Sequence, residues 1–126
     1  MANQQDLETT NTPWTDKVSE DFHVVVYRDG FPVSHGHMLF VPTHNTPEVI
    51  KDAFYDAYRY GLALIKSGEA DGFNIGLNCG KAAGQTVMYP HIHLIPRFEG
   101  DVEDPVGGVR NIIPGKGNYK KFNQTL

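Results

Sequence analysis

The stretch that decides the fold is MYPHIHLIPR, residues 88–97. It reads as a β-strand carrying two histidines two positions apart. Strand side chains alternate between faces, so His91 and His93 point one way while Ile92 and Leu94 point the other. A face that keeps imidazoles where valine or isoleucine would pack has three explanations: a metal, catalysis, or a hydrogen-bonded core.

The surrounding chain completes a small domain around that strand. FHVVVYR, residues 22–28, is β-branched and aromatic on both faces, which suits an interior strand, and Asp29-Gly30-Phe31-Pro32 supplies a turn. A second strand is expected from His37 to Val41, closed by Pro42 and close enough to pair antiparallel with the first. One helix follows, with Thr46 as its cap, Pro47 in its first turn and Glu48 at the positive end of its dipole. Ile50, Ala53, Phe54, Ala57, Gly61 and Leu64 recur at helical spacing and face the sheet, and Ser67-Gly68 ends the helix. Its aromatics Phe54, Tyr55, Tyr58 and Tyr60 read as packing. FNIGLN, residues 73–78, alternates Phe73, Ile75 and Leu77 against Asn74, Gly76 and Asn78. The order β-β-α-β-β with short links predicts an α+β domain, an antiparallel sheet with one helix across it. Residues 1–15 are polar and expected to be a flexible N-terminal segment, with residues 16–126 forming the single domain.

Composition narrows the partners. The chain has 126 residues, 40% hydrophobic and 21% charged, and 11 basic against 15 acidic side chains give a net charge of −4. That sign argues against binding nucleic acid or an anionic membrane surface. The single cysteine, Cys79, rules out a cysteine zinc cluster and an intrachain disulfide. No export signal and no apolar run near the roughly 20 residues of a membrane span are visible, so a cytoplasmic protein is expected. Asn123-Gln124-Thr125 fits a glycosylation sequon and is read as chance.

Three chemistries compete for the histidines. An H-x-H pair on a strand can chelate, yet catalytic zinc usually takes three protein ligands, and a third would have to come from His37 or His44. GLNCGKAAGQT, residues 76–86, superficially suggests a phosphate-binding P-loop. However, Gly76 and Gly80 are one residue too close, and Ala82 replaces the magnesium-binding hydroxyl, so that motif is rejected. The glycines still let backbone N–H groups approach a phosphate. Finally, a neutral imidazole attacks phosphorus when one nitrogen is held as N–H and the other is aimed at the electrophile.

Gln85–Arg97 resembles the signature of the histidine triad (HIT) superfamily, H-x-H-x-H followed by apolar residues and often Pro-Arg. PVSHGHMLFVPTHN, residues 32–45, resembles the family's upstream Gly-His segment, and AAGQTV with GDVEDPVGGVRNIIP resembles bacterial members of the diadenosine-tetraphosphate-hydrolase-like branch. The resemblance covers roughly residues 18–114 in order. It implies a HIT-like antiparallel sheet of about five strands, a homodimer, a purine nucleotide substrate, and hydrolysis or transfer at the α-phosphate of a phosphoanhydride or phosphoramidate. No cofactor and no metal are implied.

Carried over residue by residue, His91 is the nucleophile that forms a nucleotidyl-imidazole, and His93 and His37 contact the phosphate. Gln85 holds phosphate oxygens or the leaving group, Asp29 takes the ribose hydroxyls, and Tyr27 and Leu39 line the base pocket. Asn78, Gly84 and Tyr89 complete the nucleotide site. The departure is Tyr89, which stands where the first triad histidine belongs. A phenol does not become cationic near neutrality, so Tyr89 substitutes for that histidine only if the position acts through its backbone carbonyl. The alternatives are a nucleotide-binding protein without turnover, and a metal-dependent enzyme using His91 and His93 as ligands.

Overall fold

The computed structural model describes residues 5–121. Five strands form one antiparallel sheet: β1 (Lys17–Glu20), β2 (Val24–Arg28), β3 (Met38–Pro42), β4 (Gly72–Leu77) and β5 (Ile92–Arg97), in the order β1-β2-β3-β5-β4. Helix α1 (Pro47–Ser67) packs across one face. This is the α+β architecture expected. No helix among the described residues is long and apolar enough to cross a membrane. The sequon at Asn123 lies outside the described residues.

The helix begins and ends where its sequence directs. Thr46 Oγ1 accepts the Val49 N–H at 3.3 Å, Pro47 opens the first turn, and Gly68 closes it at φ 81°, a left-handed conformation that glycine adopts without a steric penalty. Ala53, Ala57 and Gly61 form its buried stripe. The small stripe has a packing reason, because a Cβ at Gly61 would lie 2.7 Å from the Phe73 ring. Of the aromatics read as packing, Phe54 joins the core. Tyr58 and Tyr60 meet Phe73 and Phe40 edge-on, but both are largely exposed, and Tyr55 is exposed beneath Arg59.

The sheet buries both faces of its centre. Val24, Val26, Met38, Phe40, Ile92 and Leu94 face the helix, while Val25, Tyr27, Leu39 and Val41 form a second core on the opposite side. That second core is roofed by the segment from Gln5 to Trp14, while the first four residues of the expected flexible arm lie outside the described residues. Leu7 is buried and donates its N–H to Thr43 O at 2.9 Å, the Asn45 N–H reaches Gln5 O at 2.7 Å, and Trp14 packs on Tyr27. Two large apolar side chains in a polar stretch are enough to fasten it.

Three strand boundaries also differ from expectation. β1 was not anticipated: KVSE is a mostly exposed edge strand with a bulge between Lys17 and Ser19, so no alternation marks it. β2 begins at Val24 because Asp21 Oδ1 accepts the N–H groups of His23 and Val24, turning the chain and leaving Phe22 exposed. β5 begins at Ile92, so Met88–His91 lead into the strand without belonging to it.

Candidate active site

The face opposite the helix carries a cleft of about 380 Å³ beside the ends of β2, β3 and β5. Asp29, Leu39, Asn78, Gly84, Gln85, His91 and His93 all line it, so seven of the ten residues expected to form the site converge there. Asp29 directly follows β2, Leu39 sits on β3, and the two histidines bracket the start of β5. Alternation does the positioning: Ile92 and Leu94 are fully buried toward the helix, and the His91 and His93 rings lie 5.2 Å apart on the other side.

Hydrogen bonding assigns the protons. His91 Nδ1 lies 2.8 Å from the Tyr89 carbonyl. A carbonyl only accepts, so Nδ1 carries the hydrogen and Nε2 keeps its lone pair. On the neighbouring rings, the Val33 N–H donates to His37 Nδ1 at 3.1 Å, and His37 Nε2 lies 2.9 Å from His93 Nδ1. With His37 Nδ1 accepting, its proton sits on Nε2 and is donated to His93, which leaves the His93 N–H on Nε2. Burial lowers the His37 imidazole against the pull of Asp29. Burial first, then His91 and His37, push His93 down to about 4. Both rings are neutral near pH 7, so the Asp29 carboxylate, 3.4 Å from His37 Nε2, is a polar neighbour of that ring and not half of an ion pair.

Asp29 Oδ2, His37 Nε2 and His93 Nδ1 lie within 4.8 Å of one another, a spacing a metal would accept. The outer contact points the wrong way. A neutral histidine that ligates through Nε2 carries its proton on Nδ1 and donates it outward, whereas His37 Nδ1 receives an amide N–H. The donor set is arranged to share a proton between two rings.

Four of the expected site residues either lie outside the cleft or have their side-chain polar atoms already occupied. His37 is buried and does not line this cleft; it bonds to His93 and borders the adjoining cavity, which shares Asp29 with the cleft. Gln85 lines the cleft, but Oε1 accepts the Gly80 N–H at 2.8 Å and Nε2 donates to Val87 O and Met88 O, so its amide locks the glycine-rich loop. The Tyr27 ring lies beneath Trp14 in the second core, away from the cleft. The Tyr89 ring is buried there too. Its hydroxyl donates to Pro42 O at 2.6 Å, and burial, with Asp6 adding to it, pushes the phenol up to about 12. Position 89 therefore reaches the site only through its carbonyl.

Sequence reasoning missed Trp14 and Phe31. Phe31 is 91% exposed at the cleft rim, and Trp14 covers His91 with ring centroids 4.7 Å apart. The signal for Trp14 was a lone large aromatic in an otherwise polar stretch, which must find cover somewhere.

Residues 12–100 match the HIT domain model. A HIT-like protein of Methanocaldococcus jannaschii, itself uncharacterised, is 36% identical over 102 residues, 75% of this chain and 79% of that protein. The bis(5'-adenosyl)-triphosphatase of Dictyostelium discoideum is 34% identical over 103 residues, covering 73% and 69%. Among solved structures, a zinc-bound histidine triad family protein from Mycobacterium smegmatis superposes with a TM-score of 0.64 at 34% identity, over 71% of this chain and 70% of that one. The sheet order, the paired imidazoles at the start of β5 and this shared sequence have one common explanation: the chain belongs to the HIT family.

Proposed function

We propose that the cleft binds a purine nucleoside 5'-polyphosphate ester, such as a diadenosine polyphosphate, and hydrolyses it at the α-phosphate through His91. The observation that carries this reading is the His91 Nδ1–H bond to the Tyr89 carbonyl, which leaves Nε2 as a lone pair beside the cleft. Nε2 attacks the α-phosphorus and the bond to the bridging oxygen breaks, its electron pair departing with the leaving group. The His93 N–H hydrogen-bonds the oxygen where charge develops. Water then adds to phosphorus, the P–Nε2 bond returns its pair to Nε2, and the water proton is released to solvent with the nucleoside monophosphate. Asp29 takes the ribose hydroxyls, Phe31 and Leu39 offer the base an apolar wall, and Asn78 and the loop at Gly84 border the phosphates.

The neutral histidine pair selects the leaving group. His93 offers a hydrogen bond, but giving up its proton outright would leave an imidazolate, because Nδ1 already accepts from His37. A phosphate leaves as an anion and needs no proton, whereas an amine does. The reading is therefore a phosphoanhydride hydrolase in preference to a phosphoramidase. A second copy of the chain is proposed to dock on the unpaired edge of β4 beside the exposed helix positions Tyr55, Tyr58, Leu62 and Ile65.

The test is release of adenosine monophosphate from diadenosine triphosphate and from adenosine 5'-phosphoramidate, with chelator throughout, in wild type and His91→Gly. Turnover of the anhydride that is lost in the variant and survives chelation is expected. Bound nucleotide without turnover would favour a binding protein, a reading that the occupied Gln85 amide also supports. Turnover that the chelator abolishes would overturn the histidine route.

A further inference from the structure

Trp14 lies in a strap between two anchors. Upstream, Leu7 is buried and bonded to Thr43; downstream, the Arg28 N–H donates to Asp16 O at 2.8 Å. Between them the indole rests on Tyr27, centroids 6.0 Å apart, and meets the His91 ring at 4.7 Å with the planes tilted by 56°. No other aromatic side chain comes as close to the proposed nucleophile among the described residues.

The contact matters because of the charge the reaction creates. His91 keeps its Nδ1 hydrogen on the Tyr89 carbonyl. When Nε2 bonds to phosphorus, the imidazole therefore becomes an imidazolium, and the ring carries a full positive charge for the lifetime of the intermediate. Ordinarily a carboxylate would balance it. Among the described residues no carboxylate lies within 4.0 Å of a His91 nitrogen, and Asp29 approaches only His37 and His93. The Tyr89 carbonyl, the Trp14 π-system and the neutral His93 ring, 5.2 Å away, are the neighbours of that charge.

We infer that the Trp14 indole, its ring centroid 4.7 Å from that of His91, stabilises the cationic nucleotidyl-His91 intermediate through its π-system, as a positioning residue that acts on the reaction through His91. This rests on the proposed nucleophilic role of His91. A cation within about 6 Å of an indole centroid is attracted by the ring quadrupole, most strongly when water is excluded, and His91 is 9% exposed. The stabilisation arises only once Nε2 has reacted, so it accelerates formation of the intermediate without tightening substrate binding.

Trp14 is the only tryptophan in the chain, so a tryptophan-auxotroph host places a fluorinated indole at this position alone. Fluorine withdraws the ring's negative face while nearly preserving its shape. Rapid-quench measurement of the His91 adduct with diadenosine triphosphate, across the unsubstituted, monofluoro, difluoro and tetrafluoro proteins, reads the electrostatic contribution. The expected result is a graded fall in adduct formation, reaching about tenfold in the tetrafluoro protein, with KM unchanged. Trp14→Leu should fall at least as far, and Trp14→Phe should lie between. Equal rates across the fluorinated series, with the adduct present, would reduce Trp14 to packing and overturn the inference alone. Absence of any adduct in the unsubstituted protein would overturn the nucleophilic reading and this inference with it.

Discussion

Acidification from pH 7.5 to 5 is expected to weaken the fold through His93. Burial, with His91 and His37 adding to it, pushes this imidazole down to about 4 in the folded protein. The unfolded chain takes up the same proton near pH ~6.5. Between these values the unfolded state binds more protons than the folded one, so stability rises with pH across the window. It is complete above pH ~6.5 and is lost progressively as pH falls toward 4. At ~1.4 kcal/mol per pH unit the whole difference is worth about 3 kcal/mol. The His93 side chain is 22% exposed and only part of the window is crossed by pH 5, so about 1–2 kcal/mol is expected there. Urea unfolding followed by circular dichroism at several pH values reads this directly. With a slope of roughly 1–3 kcal/mol per molar, the midpoint should fall by about 0.5–1 M. His37 is lowered by burial as well and adds with the same sign, so the comparison is wild type against His93→Gln, whose midpoint should depend less on pH. Asp101 does not confuse the window, since Arg97 and the Phe98 amide hold its carboxyl far below the usual range. Parallel pH profiles for wild type and His93→Gln would refute the account of a buried neutral imidazole.

Three further outcomes follow from the packing and the hydrogen bonds. Gly61→Ala places a methyl 2.7 Å from the Phe73 ring, and the clash, partly offset by better helix propensity, should cost about 1 kcal/mol and lower the melting temperature. Tyr89→Phe removes the hydroxyl that serves the buried Pro42 carbonyl and should lose about 1–2 kcal/mol in denaturant titration. Its kcat should stay within about threefold of wild type, because the residue 89 carbonyl remains for His91. His37→Ala frees the His93 ring to rotate and should lower kcat about 10²-fold with KM little changed, as steady-state kinetics would show.

The legible parts of the fold were those governed by local chemistry. Thr46, Pro47 and Gly68 mark the helix because caps act through near neighbours, and Ile92 and Leu94 reveal the histidine face because strand alternation is strict. β1 was not legible: an exposed edge strand with a bulge carries no hydrophobic period. The misread side chains share a cause. Whether Tyr27 and Tyr89 open to the cleft or lie in a core depends on what roofs the second face of the sheet, and that roof is the polar stretch around Leu7 and Trp14. The Gln85 amide could not be followed from sequence either, since its partners are three backbone groups brought together by the loop's own fold.

The strap over the second face ties two properties that are usually separate, how the segment from Gln5 to Asp16 is fastened and how the His91 ring is surrounded. Gln5 and Leu7 hold the segment to the loop after β3, and a few residues later the same segment lays Trp14 on His91. A deletion or insertion between Leu7 and Asp16 is therefore an edit to the surroundings of His91. Recovery of the proposed turnover during refolding should trail recovery of helical signal for the same reason: α1 and its face of the sheet can assemble while His91 still lacks its cover.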